Sequence, residues 1–167
     1  AGHLALGKLI CLYDDNHVTI EGGTELAFTE DVDLRFRAYG WQVLKVEDGN
    51  DLQKIDAALR AARAGRAKPS LVKVRTVSGY GSPHKAGSAE CHGAPLGAEE
   101  VRLTKEALGW PPDSSFLVPA EVSGLYGAVA DSGRKARAEW IGLVERYRDA
   151  YPDLAASWDE AMAGKLP

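Results

Sequence analysis

Leu9-Ile10-Cys11-Leu12-Tyr13 is an unbroken apolar run, and it stops abruptly at Asp14-Asp15-Asn16. A short run that is apolar throughout, rather than alternating, suits a strand covered on both faces, and parallel strands are the ones so covered. Val18-Thr19-Ile20 comes next, then Glu21-Gly22-Gly23 as a turn. Further on, Thr29 can cap a helix that runs to Tyr39, with Glu30 and Asp31 in the first turn, where negative charge meets the positive end of the helix. Gly40 closes that helix. Trp41 to Val46 reads as a second strand, and Asp48-Gly49-Asn50-Asp51 as a turn and cap. Ile55, Ala58, Leu59 and Ala62 then recur at helical spacing up to Gly65. Ser70 to Thr76 is a third strand. The order strand, helix, strand, helix, strand predicts an α/β fold, a parallel sheet with flanking helices.

Beyond Gly97 the pattern turns helical: Ala98 to Leu108, a break at Pro111-Pro112, then helices over Ala120 to Asp131, Gly133 to Ala150 and Leu154 to Ala163. Trp140, Val144 and Tyr147 form a stripe at helical spacing, which reads as core. The expected organisation is an α/β domain over residues 1–118 and a helical extension over residues 119–167. The chain starts at Ala1 without a methionine and meets an apolar run within a few residues, so it reads as a piece cut from a longer protein.

The 167 residues suffice for a real core, and 45% hydrophobic with 26% charged residues is an ordinary globular composition. A net charge of -4 gives no electrostatic reason to expect a nucleic acid or an anionic membrane as partner. No apolar run is long enough to span a bilayer, and no secretory signal is visible. Two cysteines, Cys11 and Cys91, make no disulfide framework, so a reducing, cytoplasmic setting is expected.

Ligands of parallel α/β sheets sit at the carboxyl ends of the strands. Two loops lie there: Asp14 to Gly23, and the long segment Val77 to Gly97, rich in Gly, Ser, Pro and His. Asp14, Asp15 and Asn16 offer hard oxygen ligands of the kind Mg²⁺ takes, although the same residues end strands routinely because they favour turns. His92, followed by Gly93, can move protons near neutral pH. Cys91 beside it is a weak candidate nucleophile, because catalytic Cys and His come from separate elements. Cys11, His17, Cys91 and His92 lack zinc-site spacing. Gly79-Tyr80-Gly81 completes neither a dinucleotide fingerprint nor a P-loop.

Taken in order, several stretches resemble transketolase. They are Tyr13-Asp14-Asp15-Asn16-His17-Val18-Thr19-Ile20-Glu21-Gly22, Phe28-Thr29-Glu30-Asp31-Val32, Arg35 to Trp41, Gly79-Tyr80-Gly81-Ser82-Pro83, Lys85-Ala86-Gly87 and His92-Gly93-Ala94-Pro95-Leu96-Gly97. Ala107-Leu108-Gly109-Trp110 also fits, and the resemblance covers nearly the whole chain. It implies part of a thiamine diphosphate-binding fold. In that family the cofactor lies between domains of two subunits, so the resemblance also implies a homodimer. Asn16 matches the residue that closes the metal motif, and Val18 the one whose backbone carbonyl reaches Mg²⁺ (Ca²⁺ or Mn²⁺ can substitute). Ile20 matches an apolar residue against the cofactor, and Asp14 is expected to support the loop. His92 matches a histidine that touches cofactor and substrate and assists proton transfer.

The implied reaction transfers a two-carbon ketol unit from a ketose phosphate to an aldose phosphate, with the cofactor as electron sink. The residue opening the family's metal motif would lie before Ala1, and the glutamate that activates the cofactor belongs to a later domain. The chain alone is therefore expected to be inactive. Ala89 stands where the family often has histidine, and His84 where asparagine is expected. A dihydroxyacetone synthase-like or split-subunit relative is a second catalytic reading. A partner-binding module without catalysis is a third, and the retention of both Asn16 and His92 weighs against it.

Overall fold

The structure is a computed structural model that describes residues 1–165. It forms two compact units, Ala1–Asp113 and the residues from Ser114 on. The first unit holds three parallel strands, β1 (Ile10–Asp15), β2 (Gln42–Val46) and β3 (Ser70–Arg75), in the order β1-β3-β2. Ser70 of β3 stands opposite both Ile10 and Gln42, so the three strands start level. The chain crosses from β1 to β2 through α1 (Val32–Ala38) and returns to the centre through α2 (Leu52–Ala64). A chain that reverses its direction across a parallel sheet puts consecutive helices on opposite faces if both crossovers are right-handed.

The core shows that arrangement. Val46, Val72 and Val74 pack with Ala58 and Ala62 of α2, and Ile10, Leu44 and Ile55 close the edges of this cluster. On the other face Val43 and Leu71 pack with Val32 of α1, beside Cys11, Tyr13, Phe36 and Trp41. Val72, in the central strand, is fully buried, which is worth roughly 1.5–3 kcal/mol for a valine side chain. β1 lies at an edge of the sheet, and its Leu12 is 59% exposed.

Three local features of this unit differ from the sequence expectations. β1 continues through Asp14 and Asp15 rather than stopping at Tyr13. The α1 cap is Asp31, whose carboxylate accepts the Leu34 N–H at 3.1 Å, and Thr29 and Glu30 remain outside the helix. The long segment after β3 contains one helical turn, α3 (Glu90–Gly93), too short for any periodicity to reveal. It leads to α4 (Ala98–Ala107), the last element of the unit.

The second unit is a helical hairpin. The two helices expected around Ser132-Gly133 are a single α5 (Ala120–Ala150), which α6 (Pro152–Met162) follows. An Arg134–Asp131 ion pair spans the glycine, and a lone Gly weakens a helix without ending it. Pro152 occupies the first turn of α6, where its missing N–H costs nothing. Trp140 of α5 meets Trp158 of α6 edge to face at 6.5 Å, and Arg148 pairs with Asp159. Trp140 is nevertheless 56% exposed and α5 buries no residue, so the stripe expected as core lies open in this unit. Among the described residues no helix is long and apolar enough to cross a membrane.

Candidate functional site

The odd-numbered positions of the sheet change character along the strands. Cys11, Leu71 and Val43 belong to the apolar cluster under α1. One register step on stand Tyr13, Lys73 and Lys45, and beyond them Asp15 faces Arg75. Side chains alternate faces along a strand, so this charged row emerges on the α1 side at the carboxyl end of the sheet. A cavity of about 470 Å³ opens there. Its walls come from the end of β1 and the turn after it (Tyr13 to Val18), from the segment Thr24 to Val32 that leads into α1, and from Lys73.

Asp15 anchors the floor. Its carboxylate lies 3.3 Å from Lys73 Nζ and 3.3 Å from His17 Nε2. Arg75 Nη1 donates to its backbone carbonyl at 2.7 Å. Lys73 also stands 3.7 Å from Asp33 Oδ1 on α1, while Lys45 pairs with the other oxygen of Asp33. That Oδ1 has no hydrogen-bond partner among the described residues. Burial works to raise the Asp33 pKa, but the hydrogen bond from Lys45 and the charge of Lys73 outweigh it and leave it below the ordinary carboxylate value. Burial, and next to it the negative charge of Asp15, pushes the Tyr13 hydroxyl up.

After the strand, the Asn16 side-chain oxygen accepts the Val18 N–H at 3.1 Å, an Asx turn. His17 takes a left-handed backbone with φ +59°, a conformation that costs a non-glycine residue about 1 kcal/mol. The reversal pairs Val18 with Gly23 through Thr19 N–H to Gly22 O at 2.6 Å and Thr24 N–H to His17 O at 3.1 Å. Those bonds flank Val18 and leave its own carbonyl outside the small ladder. On the opposite face of the strand end, Asp14 accepts a hydrogen bond from the Thr76 hydroxyl. Asp14, Asn16 and Val18 nonetheless all line the cavity. Ile20 is 73% exposed at the tip of the following turn and does not line it. His92 is exposed at the end of α3, on the other candidate loop, and does not line it either.

Among the described residues no three His, Cys, Asp or Glu side chains converge as a metal cage. The turn instead offers an amide oxygen, a carbonyl and nearby carboxylates. Such a hard, incomplete donor set fits a Mg²⁺ ion that draws its remaining ligands from phosphate oxygens, water and another segment.

Sequence reasoning passed over Lys73, Asp33 and Glu100. Lys73 did carry a signal: it is the cation inside Leu71-Val72-Lys73-Val74, opposite the acidic end of β1. Asp33 and Glu100 are buried acids on helices that read as ordinary amphipathic segments. Only tertiary contacts single them out.

Comparisons with known proteins give the family. Residues 1–167 match the family described as "Transketolase, thiamine diphosphate binding domain". The transketolase of Geobacillus stearothermophilus is 49% identical over 168 residues, and that of Bacillus subtilis 46% over 168 residues. Each alignment takes in 100% of this chain and 25% of the relative. Among solved structures, the transketolase from Leishmania mexicana superposes with a TM-score of 0.91 at 36% identity, covering 100% of this chain and 25% of that one. A Pichia stipitis transketolase in complex with sedoheptulose-7-phosphate gives 0.88 at 42% identity, with the same coverage. The chain spans about a quarter of the length of the curated relatives it matches. It belongs to the transketolase family, in which it matches the thiamine diphosphate-binding domain.

Proposed function

We propose that this chain acts as the metal- and diphosphate-binding part of a longer transketolase, which passes a two-carbon ketol unit from a ketose phosphate to an aldose phosphate. The observation that carries the reading is the oxygen-lined turn at the carboxyl end of β1, with Asn16 and Val18 side by side in one cavity. Bound thiamine diphosphate supplies an electron sink for cleavage of the ketose carbon–carbon bond. Asn16 offers its side-chain oxygen to Mg²⁺ and its NH₂ to a diphosphate oxygen, and Val18 offers its carbonyl to the metal. Asp14, held by Thr76, fixes the end of the strand from which the turn departs. Ile20 gives the cofactor an apolar neighbour. His92 donates or accepts a proton at a substrate hydroxyl. The site is shared between two copies in a homodimer, and the two free thiols, Cys11 and Cys91, suit a reducing compartment such as the cytosol.

The test is ketol transfer by the full-length protein containing this segment, with xylulose-5-phosphate as donor and an aldose phosphate as acceptor. Activity is expected to vanish on chelation of divalent metal and to return with Mg²⁺. His92→Ala is expected to lower kcat by about 10²-fold or more, the usual worth of a general acid–base group. A full-length protein that binds a partner chain but transfers nothing, with or without Mg²⁺, would move the binding-module reading to the front.

A further inference from the structure

The segment from Val77 to Gly97 carries His92, yet little regular structure holds it: a single helical turn, α3, and a series of local bends. What fixes it is a carboxylate on the next helix. Glu100 of α4 is only 8% exposed, and it receives three hydrogen bonds from the segment. The Ser82 hydroxyl and the His84 backbone N–H, the latter at 2.9 Å, both donate to Oε1. His84 Nδ1 lies 2.9 Å from Oε2. Ser82 is itself buried, and its oxygen accepts the Lys85 N–H at 3.1 Å.

From Lys85 the bonds continue toward His92. The Lys85 carbonyl accepts from Ser88 N at 3.1 Å and from Ser88 Oγ at 2.8 Å. Cys91 Sγ donates to the Ser88 carbonyl at 3.1 Å, and His92 N donates to Ala89 O at 3.0 Å. Lys85 Nζ reaches across to Leu96 O at 3.1 Å, which ties the far side of the segment to the same residue. Gly81 completes the attachment. Its φ is +88°, and a Cβ there would stand 2.7 Å from Leu108 Cγ, at the end of α4.

We infer that Glu100 is a positioning residue for His92: its carboxylate pins Ser82 and His84 to α4, and the hydrogen bonds through Lys85 and Ser88 carry that anchorage to the helical turn bearing the imidazole. The inference rests on the proposed ketol transfer for its catalytic consequence, but the anchorage itself does not. The hydrogen bonds lower the Glu100 pKa to about 2, the Ser82 bond most and those from His84 next, so the anchor is ionised at any working pH. Without it a long segment regains conformational freedom, and a displacement of about 1 Å in a reacting group costs on the order of 10²-fold in rate.

The experiment uses the full-length protein as wild type, Glu100→Ala, Glu100→Asp, Ser82→Ala, His92→Ala and the Glu100→Ala/His92→Ala double variant. Hydrogen exchange by mass spectrometry is read without cofactor, and kcat with cofactor and Mg²⁺. Glu100→Ala and Ser82→Ala are expected to speed exchange in peptides from 77–97 at least tenfold, while peptides from α2 and β3 keep their wild-type rates. Glu100→Ala is expected to lower kcat at least tenfold, Glu100→Asp to restore part of that loss, and the double variant to be no slower than His92→Ala alone. Unchanged exchange in 77–97, loosening spread over the whole domain, or a double variant whose losses multiply would each overturn the inference. Wild-type protein without ketol transfer would instead refute the proposed reaction, and the exchange data would still decide whether Glu100 anchors the segment.

Discussion

At the scale of single residues the account turns on a few polar groups at strand and helix ends. Asp31 caps α1 through the Leu34 N–H, and its replacement by alanine should lower stability by about 1 kcal/mol, read as a shifted denaturant midpoint with unchanged slope. Glu100 makes a pH prediction with a definite sign. Its folded-state pKa is depressed from the ordinary 4.5 to about 2. Its contribution to stability is therefore complete above the unfolded-state value, declines as the pH falls through the interval between the two, and is absent below the lower one. The melting temperatures of wild type and Glu100→Gln should differ most above pH 5, converge between pH 4.5 and 2, and coincide at lower pH. A gap that widens on acidification would contradict this. Asn16 stood out in the sequence through the strand end and the resemblance, and His92 through the long loop and the resemblance. Glu100 was not, because Ala98-Glu99-Glu100-Val101 reads as an acidic first turn of a helix. Nothing local separates Glu100 from Glu99, which instead pairs with Arg102 on the same helix.

At the scale of elements, three strands and the two helices between them were legible: β1 from an unbroken apolar run, α1 from its capping signals and closing glycine, and α2 from helical spacing. Boundaries were less so. β1 runs into Asp14 and Asp15 because their backbones continue the pairing with Val74 and Arg75 of β3, which a turn-forming residue type does not prevent. The reading of a break at Gly133 failed for a related reason. Local weakness ends a helix only where another conformation is better, and here Arg134, Lys135 and Ala136 directly after the glycine are strong helix formers. An added Cβ at Gly133 would meet nothing within 4 Å. Gly133→Ala should therefore stabilise α5 by roughly 0.5–1 kcal/mol, seen as a higher melting temperature. A loss of stability would mean that something packs against that position.

At the scale of the whole molecule, the proposed function makes the sheet and its cavity one side of a larger site. The turn after β1 supplies oxygen donors without closing a metal cage, and β1 leaves Leu12 exposed at the sheet edge. A strand edge with exposed apolar residues invites pairing with another chain. The 167-residue chain produced alone should therefore show no ketol transfer and should self-associate, seen as concentration-dependent sedimentation. A monodisperse, active preparation would contradict this. Composition and periodicity describe an ordinary α/β domain, and only the resemblance speaks of the residues that would complete the proposed site.

The central claim is that Asn16 and its turn hold the metal and diphosphate of thiamine diphosphate. The most direct measurement is calorimetric titration of the cofactor into the full-length protein, with and without Mg²⁺, for wild type and Asn16→Ala. The account predicts Mg²⁺-dependent binding by wild type and at least tenfold weaker binding by the variant, about 1.4 kcal/mol or more. Equal affinities for the two proteins, or wild-type binding indifferent to Mg²⁺, would contradict it.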